Sequence, residues 1–224
     1  MSRPGRAEAA RGLFVTIEGI DGSGKSTQAK LLCEWLDETV KEPGRQGVLR
    51  TFEPGGWDGG ELLRRLLLGG TPVTPRTELL LFLADRSGHL DAEIVPALLA
   101  GRCVVCERYT DSTLAYQSWG RGIAIHEIES LLDCCRFRVP DLTILLDIDP
   151  AAARARLERR GRLDRIESEA EREGFMARVA RGYRELAERY PERIAVFDAS
   201  LDAGRVFEGI RERLLRRGFG KEPA

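Results

Sequence analysis

The chain has 224 residues, with 35 Lys+Arg against 36 Asp+Glu and a net charge of −1. That length suits one large α/β domain or two small ones and can bury a core without disulfides or structural metal. The charge balance argues against a general nucleic-acid or membrane-surface binder, and no apolar run approaches the roughly 18 residues of a spanning helix.

Residues 1–11 are basic and alanine-rich without an apolar stretch, which reads as a disordered lead-in rather than a signal peptide. Leu13-Phe14-Val15-Thr16-Ile17 is then a short apolar, β-branched run, predicted as a buried strand. Directly after it, Gly19-Ile20-Asp21-Gly22-Ser23-Gly24-Lys25-Ser26 fits the phosphate-loop pattern G-x-x-x-x-G-K-[ST], and Thr27 follows. Ala29, Leu31, Leu32, Trp35 and Leu36 continue at helical spacing. Strand, glycine loop and helix together are the context in which backbone N–H groups and a helix N-terminus converge on phosphate oxygens. There Lys25 offers a point charge to the β/γ-phosphates, and the Ser26 hydroxyl is placed to ligate Mg²⁺.

After turn punctuation at 42–47, residues 48–52 read as a second strand, broken by Glu53-Pro54-Gly55-Gly56. A short helix is predicted over 61–68, and a longer helical pattern starts at 76 and runs past Arg86. Pro96 either opens a fresh helical segment within 91–100 or kinks one, and Gly101 ends it. Residues 103–106 are the third strand, 142–146 the fourth and 194–197 the fifth. Helices are predicted over 151–160, around Phe175, Val179, Tyr183 and Leu186, and over 201–215. Near-continuous apolar strands separated by helices imply a five-stranded parallel sheet covered on both faces, with ligands at the strands' carboxyl ends.

Of five cysteines, Cys103 and Cys106 form C-x-x-C, but strand alternation sends positions three apart to opposite faces. With no second such pair and only two isolated histidines, the cysteines read as reduced core residues rather than a metal or redox site.

Four stretches carry a family resemblance: residues 17–26, Glu53-Pro54-Gly55-Gly56, residues 108–117 with Gly120-Arg121-Gly122, and residues 160–167. In order and spacing they resemble bacterial thymidylate kinases, over roughly residues 13–215. The resemblance implies a P-loop nucleoside monophosphate kinase domain over 12–217, with a lid at about 154–170 and a short tail at 218–224. It implies ATP-dependent conversion of dTMP to dTDP, ATP and Mg²⁺ as cofactors, a cytoplasmic location and a homodimer without nucleic-acid or membrane partners. A deoxynucleoside kinase, another nucleoside monophosphate kinase and a non-catalytic ATP-binding regulator stand as alternatives.

The same resemblance assigns roles. Residues Gly19 through Thr27 would bind ATP, and Ser26 with Glu107 would serve the metal. Asp21 would reach the sugar 3′-hydroxyl of dTMP, Phe82 would stack on thymine and Arg86 would bond the base and its surroundings. Arg108 would hold the acceptor phosphate. Thr113 and Gln117 would read the thymine edge, and Tyr116 would pack on the deoxyribose. Lid arginines Arg156 and Arg160, with Arg165 following, would neutralise charge in the transition state, a role that can be worth three to five orders of magnitude. Read without the family, Asp21 could be a loop cap, Phe82 a core residue, and the arginine-rich run a solvated helix face or an RNA-binding patch. Two positions depart from the family pattern. Phe52 stands where Arg is frequent before Glu-Pro-Gly-Gly, leaving Arg50 as a candidate for the missing charge, and Glu107 stands where Asp is usual. A face around Leu79, Leu83, Leu131 and Leu132 suits either dimerisation or core packing.

Overall fold

The computed structural model describes residues 12–39, 47–70, 72–159, 161 and 169–219. The lead-in 1–11, residues 160 and 162–168 of the lid with Arg160 and Arg165 among them, and the last five residues lie outside that set.

Five parallel strands form one sheet in the order β2-β3-β1-β4-β5, with β1 Phe14–Glu18, β2 Val48–Phe52, β3 Cys103–Glu107, β4 Leu142–Asp147 and β5 Ile194–Asp198. The pattern follows from composition. Central β1 is buried along its whole length, and β3 and β4 are buried but for their last residues, whereas edge strands β2 and β5 leave Phe52 and Val196 exposed. Side chains alternate faces. Val15, Ile17, Cys103 and Val105 join the larger core cluster, while Phe14, Val104 and Cys106 join a smaller one with Leu90, Ile94, Ala97, Leu98 and Tyr109. The two C-x-x-C thiols therefore sit on opposite faces, as the strand period requires.

Helix α1 (Lys25–Thr39) follows β1, and α2 (Gly60–Leu68) and α3 (Pro75–His89) follow β2. Thr74 caps α3 by accepting a bond from Thr77 N at 3.2 Å, and Pro75 opens it. A π-helical turn, Leu90–Ile94, carries α3 into α4 (Val95–Leu99). Pro96 thus lies in the first turn of a resumed helix, so the segment is redirected rather than broken. A short helix, α5 (Thr110–Thr113), likewise widens into a π-helical stretch at Leu114–Gly120. Then come α6 (Ile125–Cys135), α7 (Pro150–Arg159), α8 (Glu169–Arg189) and α9 (Ala203–Arg216).

One sequence expectation needs correcting. Cys33, Cys103 and Cys106 are buried, but Cys134 and Cys135 are exposed at the end of α6, a helix absent from the sequence assignment although Ile125, Ile128, Leu131 and Leu132 carry its period. Leu79 and Leu83 lie in the core, with Leu131 and Leu132 packed against it, so core packing accounts for that face. On α2, α3 and α4 the large apolar side chains shown to solvent are Leu62, Leu68, Leu80, Val95 and Leu99.

Candidate active site

The loop from β1 to α1 is shaped by glycines that its neighbours demand. Gly19, Gly22 and Gly24 have φ of 138°, 85° and 100°. A Cβ at Gly19 would lie 2.6 Å from Leu146 O, and one at Gly22 2.4 Å from Ala153 O, so β4 and α7 close on the loop where only glycine fits. Lys25 folds back over it, donating to Gly19 O at 3.0 Å and Ile20 O at 2.9 Å, 3.9 Å from Asp21. Burial, helped by nearby Arg108 and opposed by Asp21, pulls its ammonium down to about 7.

At the exposed rim of the loop, Ser26 Oγ donates to Glu107 Oε2 at 2.6 Å. Arg50 Nη2 reaches both Glu107 Oε1 at 2.9 Å and Ser26 O at 3.0 Å. Arg50 is therefore held at the Ser26–Glu107 pair on the loop rim.

Arg108 follows β3 in the left-handed region, φ 67°, its N–H bonded to Ile17 O at 3.0 Å. Its Nη2 donates to Asp21 Oδ1 at 2.6 Å and Tyr116 Oη at 3.1 Å, and its guanidinium carbon lies 4.9 Å from the centre of the Tyr116 ring. Nη1 contacts Ser112 Oγ at 3.2 Å and Tyr183 Oη at 3.4 Å. Beneath them Glu18, wholly buried, accepts from Tyr109 N, Ser112 N, Ser112 Oγ and Tyr183 Oη. Burial, with Asp111 nearby, raises the Glu18 carboxyl above its ordinary range.

A second buried network lies under α3. Arg86, 1% exposed, pairs with Glu53 at 2.7 Å and donates to Thr113 Oγ1 at 2.8 Å. Its guanidinium stacks over Tyr109 and Phe137. Glu53 also contacts His89 Nδ1 at 3.2 Å, and His89 Nε2 lies 2.7 Å from Thr51 Oγ1. Gln117 Nε2 donates to Glu78 Oε1 at 2.7 Å, and Arg121 clamps the same carboxylate. Phe82, one turn before Arg86, is half-buried and belongs to neither core cluster.

On the other side of the loop, a cleft of about 320 Å³ is lined by Gly22, Ser23, Gly24, Thr27, Arg156 and Arg159, with Leu201 and Asp202 across from them. Arg156 reaches Ser200 O at 3.3 Å, and Arg154 pairs with Glu158 at 2.8 Å. The arginine-rich helix thus turns toward this cleft. One cleft results, glycine-walled with cationic rims, and across the loop from it stand two polar networks, Asp21–Arg108–Tyr116 and the buried Arg86–Thr113 pair. Arg160 lies outside the described residues.

Several participants are absent from the sequence assignments. Glu18 and Glu53 lie inside motifs quoted above, but nothing in a sequence says that a carboxylate in an apolar strand or a loop will anchor an arginine. Tyr183 reads as an apolar helix position, and its one clue is that it is Tyr rather than Phe. Arg159 and Glu78 are surface-like by pattern.

The family model described as thymidylate kinase matches residues 17–210. The thymidylate kinase of Alkalilimnicola ehrlichii is 45% identical over 210 residues, covering 91% of this chain and 93% of that protein. The thymidylate kinase of Clavibacter sepedonicus is 45% identical over 205 residues, 90% of this chain and 94% of that protein. The crystal structure of thymidylate kinase from Ehrlichia chaffeensis aligns with a TM-score of 0.74 at 34% identity, over 92% of this chain and 99% of that one.

Proposed function

We propose that this chain, a member of the thymidylate kinase family that transfers a phosphoryl group from ATP to dTMP to give dTDP, holds its two nucleotides on either side of Lys25, in the glycine-walled cleft and on the Arg108 side of the loop. ATP lies in the glycine-walled cleft, its phosphates against the N–H groups of residues 19–27. Arg156 with Arg159 borders it. dTMP lies on the Arg108 side. Residues 12–217 are one kinase domain, closed by a lid at 154–170.

The observation that carries this is the contact of Asp21, Lys25 and Arg108 across three elements. Phosphoryl transfer needs positioning and charge neutralisation more than covalent help. Arg108 is held at four of its five N–H donors by Asp21, Tyr116, Ser112 and Tyr183, and binding a phosphate monoester exchanges some of these partners for phosphate oxygens. Phe82 offers a ring unclaimed by the core to stack on thymine, and Arg86 with Thr113 and Gln117 faces the base edge. Tyr116 packs on the sugar. Ser26 and Glu107 place a hydroxyl and a carboxylate oxygen 2.6 Å apart at the loop rim, a hard-oxygen set suited to Mg²⁺. When bound there, the ion supplies charge neutralisation at the donor phosphates. Lys25 exchanges its carbonyl partners for phosphate oxygens, which favours its charged form. Glu107 is held by Ser26 and Arg50, so it serves the donor side rather than acting as a base on a nucleoside hydroxyl.

The chain works as a homodimer, with exposed Leu62, Leu80 and Leu99 as the apolar surface available for it. Its charged nucleotides do not cross a bilayer unaided, which supports a cytoplasmic location. The deciding experiment measures ADP release with dTMP, dUMP and thymidine as acceptors, for wild type and Arg108→Ala. Turnover with dTMP but not thymidine, and a raised KM for dTMP in the variant, is expected. An unchanged KM would move the acceptor site elsewhere.

A further inference from the structure

We propose that Arg64 is a second ligand for the phosphate of dTMP, a guanidinium threaded from α2 to the acceptor side of the phosphate loop. This rests on the placement of dTMP above. Arg64 does not project into solvent like its neighbour Arg65, whose side chain is 70% exposed. It turns back onto the loop after β2. Its Nη1 donates to Pro54 O at 2.6 Å, and its guanidinium carbon lies 5.1 Å from the centre of the Phe52 ring. Gly55 makes the passage: at φ 92°, a Cβ there would come within 2.9 Å of Arg64 Cβ and Cδ.

Phe52 is the last residue of β2 and pairs in register with Glu107. It points to the same side of the strand as Arg50, two residues earlier, which reaches Ser26 and Glu107 at the phosphate loop. A guanidinium stacked on Phe52 is therefore carried to the end of the sheet where the phosphates meet.

Charge decides its use. The other arginines on this side are paired with carboxylates: Arg50 with Glu107, Arg86 with Glu53, Arg108 with Asp21. Among the described residues, no carboxylate lies within ion-pair distance of Arg64. A phosphate monoester brings about −1.5 to −2 charge at neutral pH. Asp21 is shared by Arg108 and Lys25, and Arg64, with no carboxylate partner of its own among the described residues, adds a further cation for that charge. Its bond to Pro54 uses one of five N–H donors, and ring and carbonyl hold the plane of the rest in advance, which suits a bidentate grip on phosphate.

The test uses the full chain and calorimetric titration with dTMP and with thymidine, which shares base and sugar but lacks the phosphate. Arg64→Gln removes the charge yet keeps a donor for Pro54 O. Arg64→Ala removes both. We expect both variants to weaken dTMP at least about tenfold, the worth of one charge-assisted bond, and to leave thymidine within about twofold. Placing Phe52→Arg in the Arg64→Gln background restores part of the dTMP affinity. Equal losses for dTMP and thymidine in Arg64→Gln would make Arg64 a prop for the Pro54 loop, and unchanged dTMP affinity would remove it from the site. A dTMP affinity untouched by Arg108→Ala would instead overturn the acceptor-side placement, whatever Arg64 does.

Discussion

Asp21 Oδ1 lies 2.6 Å from Arg108 Nη2, although Asp21 belongs to the loop after β1 and Arg108 to the turn after β3. The phosphate loop thus helps to aim the acceptor's anchor as well as to bind the donor. Asp21→Asn should raise KM for dTMP about tenfold, since a charge-assisted bond is worth about 1.5–3 kcal/mol, while KM for ATP stays within about twofold. Steady-state kinetics with each substrate varied checks this. Equal rises in both would mean that the loop itself had collapsed.

Lys25 should trade stability for function in a pH-dependent way. Its folded-state value is about 7 against an ordinary 10.5. Below pH 7 both folded and unfolded chains carry the proton, and the fold bears the whole cost of burying it. Between 7 and 10.5 the unfolded chain keeps a proton that the folded one has shed, so stability rises with pH through that window. Relative to Lys25→Met, the wild-type melting temperature without nucleotide should climb from pH 6.5 to 9, and the variant should lose kcat by about a thousandfold or more. Parallel melting profiles across that range would contradict the shift.

Phe82→Ala separates a ligand platform from a core residue. Truncating a core Phe costs about 3–5 kcal/mol, whereas a half-buried ring outside both core clusters should cost about 1 kcal/mol or less. We expect a small change in denaturant midpoint together with a rise of about tenfold or more in KM for dTMP, the scale of one lost stacking partner. A large midpoint shift with unchanged KM would return Phe82 to the core.

Glu107→Gln should raise the Mg²⁺ concentration needed for half-maximal rate while leaving thymidine binding alone, because the Ser26–Glu107 pair faces the donor. The variant also frees Arg50. A Mg²⁺ titration at saturating ATP and dTMP reads the effect, and an unchanged requirement would place the metal elsewhere.

The parallel sheet and phosphate loop were legible because each depends on local rules: apolar runs of strand length, glycines at fixed offsets, helical periods. The alternation that separates Cys103 from Cys106 is of the same kind. What stayed hidden is set by pairing across the chain. Glu18 reads as a polar flaw in an apolar strand until Ser112, 94 residues later, is seen to bond it. Arg50 reaches from β2 to Glu107 and Ser26, a link that no local pattern announces. The exposure of Cys134 and Cys135 turns on α6 lying at the surface with only Ile128 fully buried, which its amphipathic spacing alone does not reveal. Leu79 and Leu83 could have faced a partner or the core, and only the packing of α3 on the sheet chooses.

Strand β1 holds the middle of the sheet, yet both of its neighbours come much later in the chain. Thr16 meets Thr143 across a separation of 127 residues. During synthesis the nucleotide-binding loop therefore emerges long before anything can brace it. At typical translation rates of about 5–20 residues per second, β1 waits on the order of ten seconds as an unpaired apolar segment. Early exposure of this strand, more than the stability of the finished enzyme, is where a demand for chaperones during production would arise.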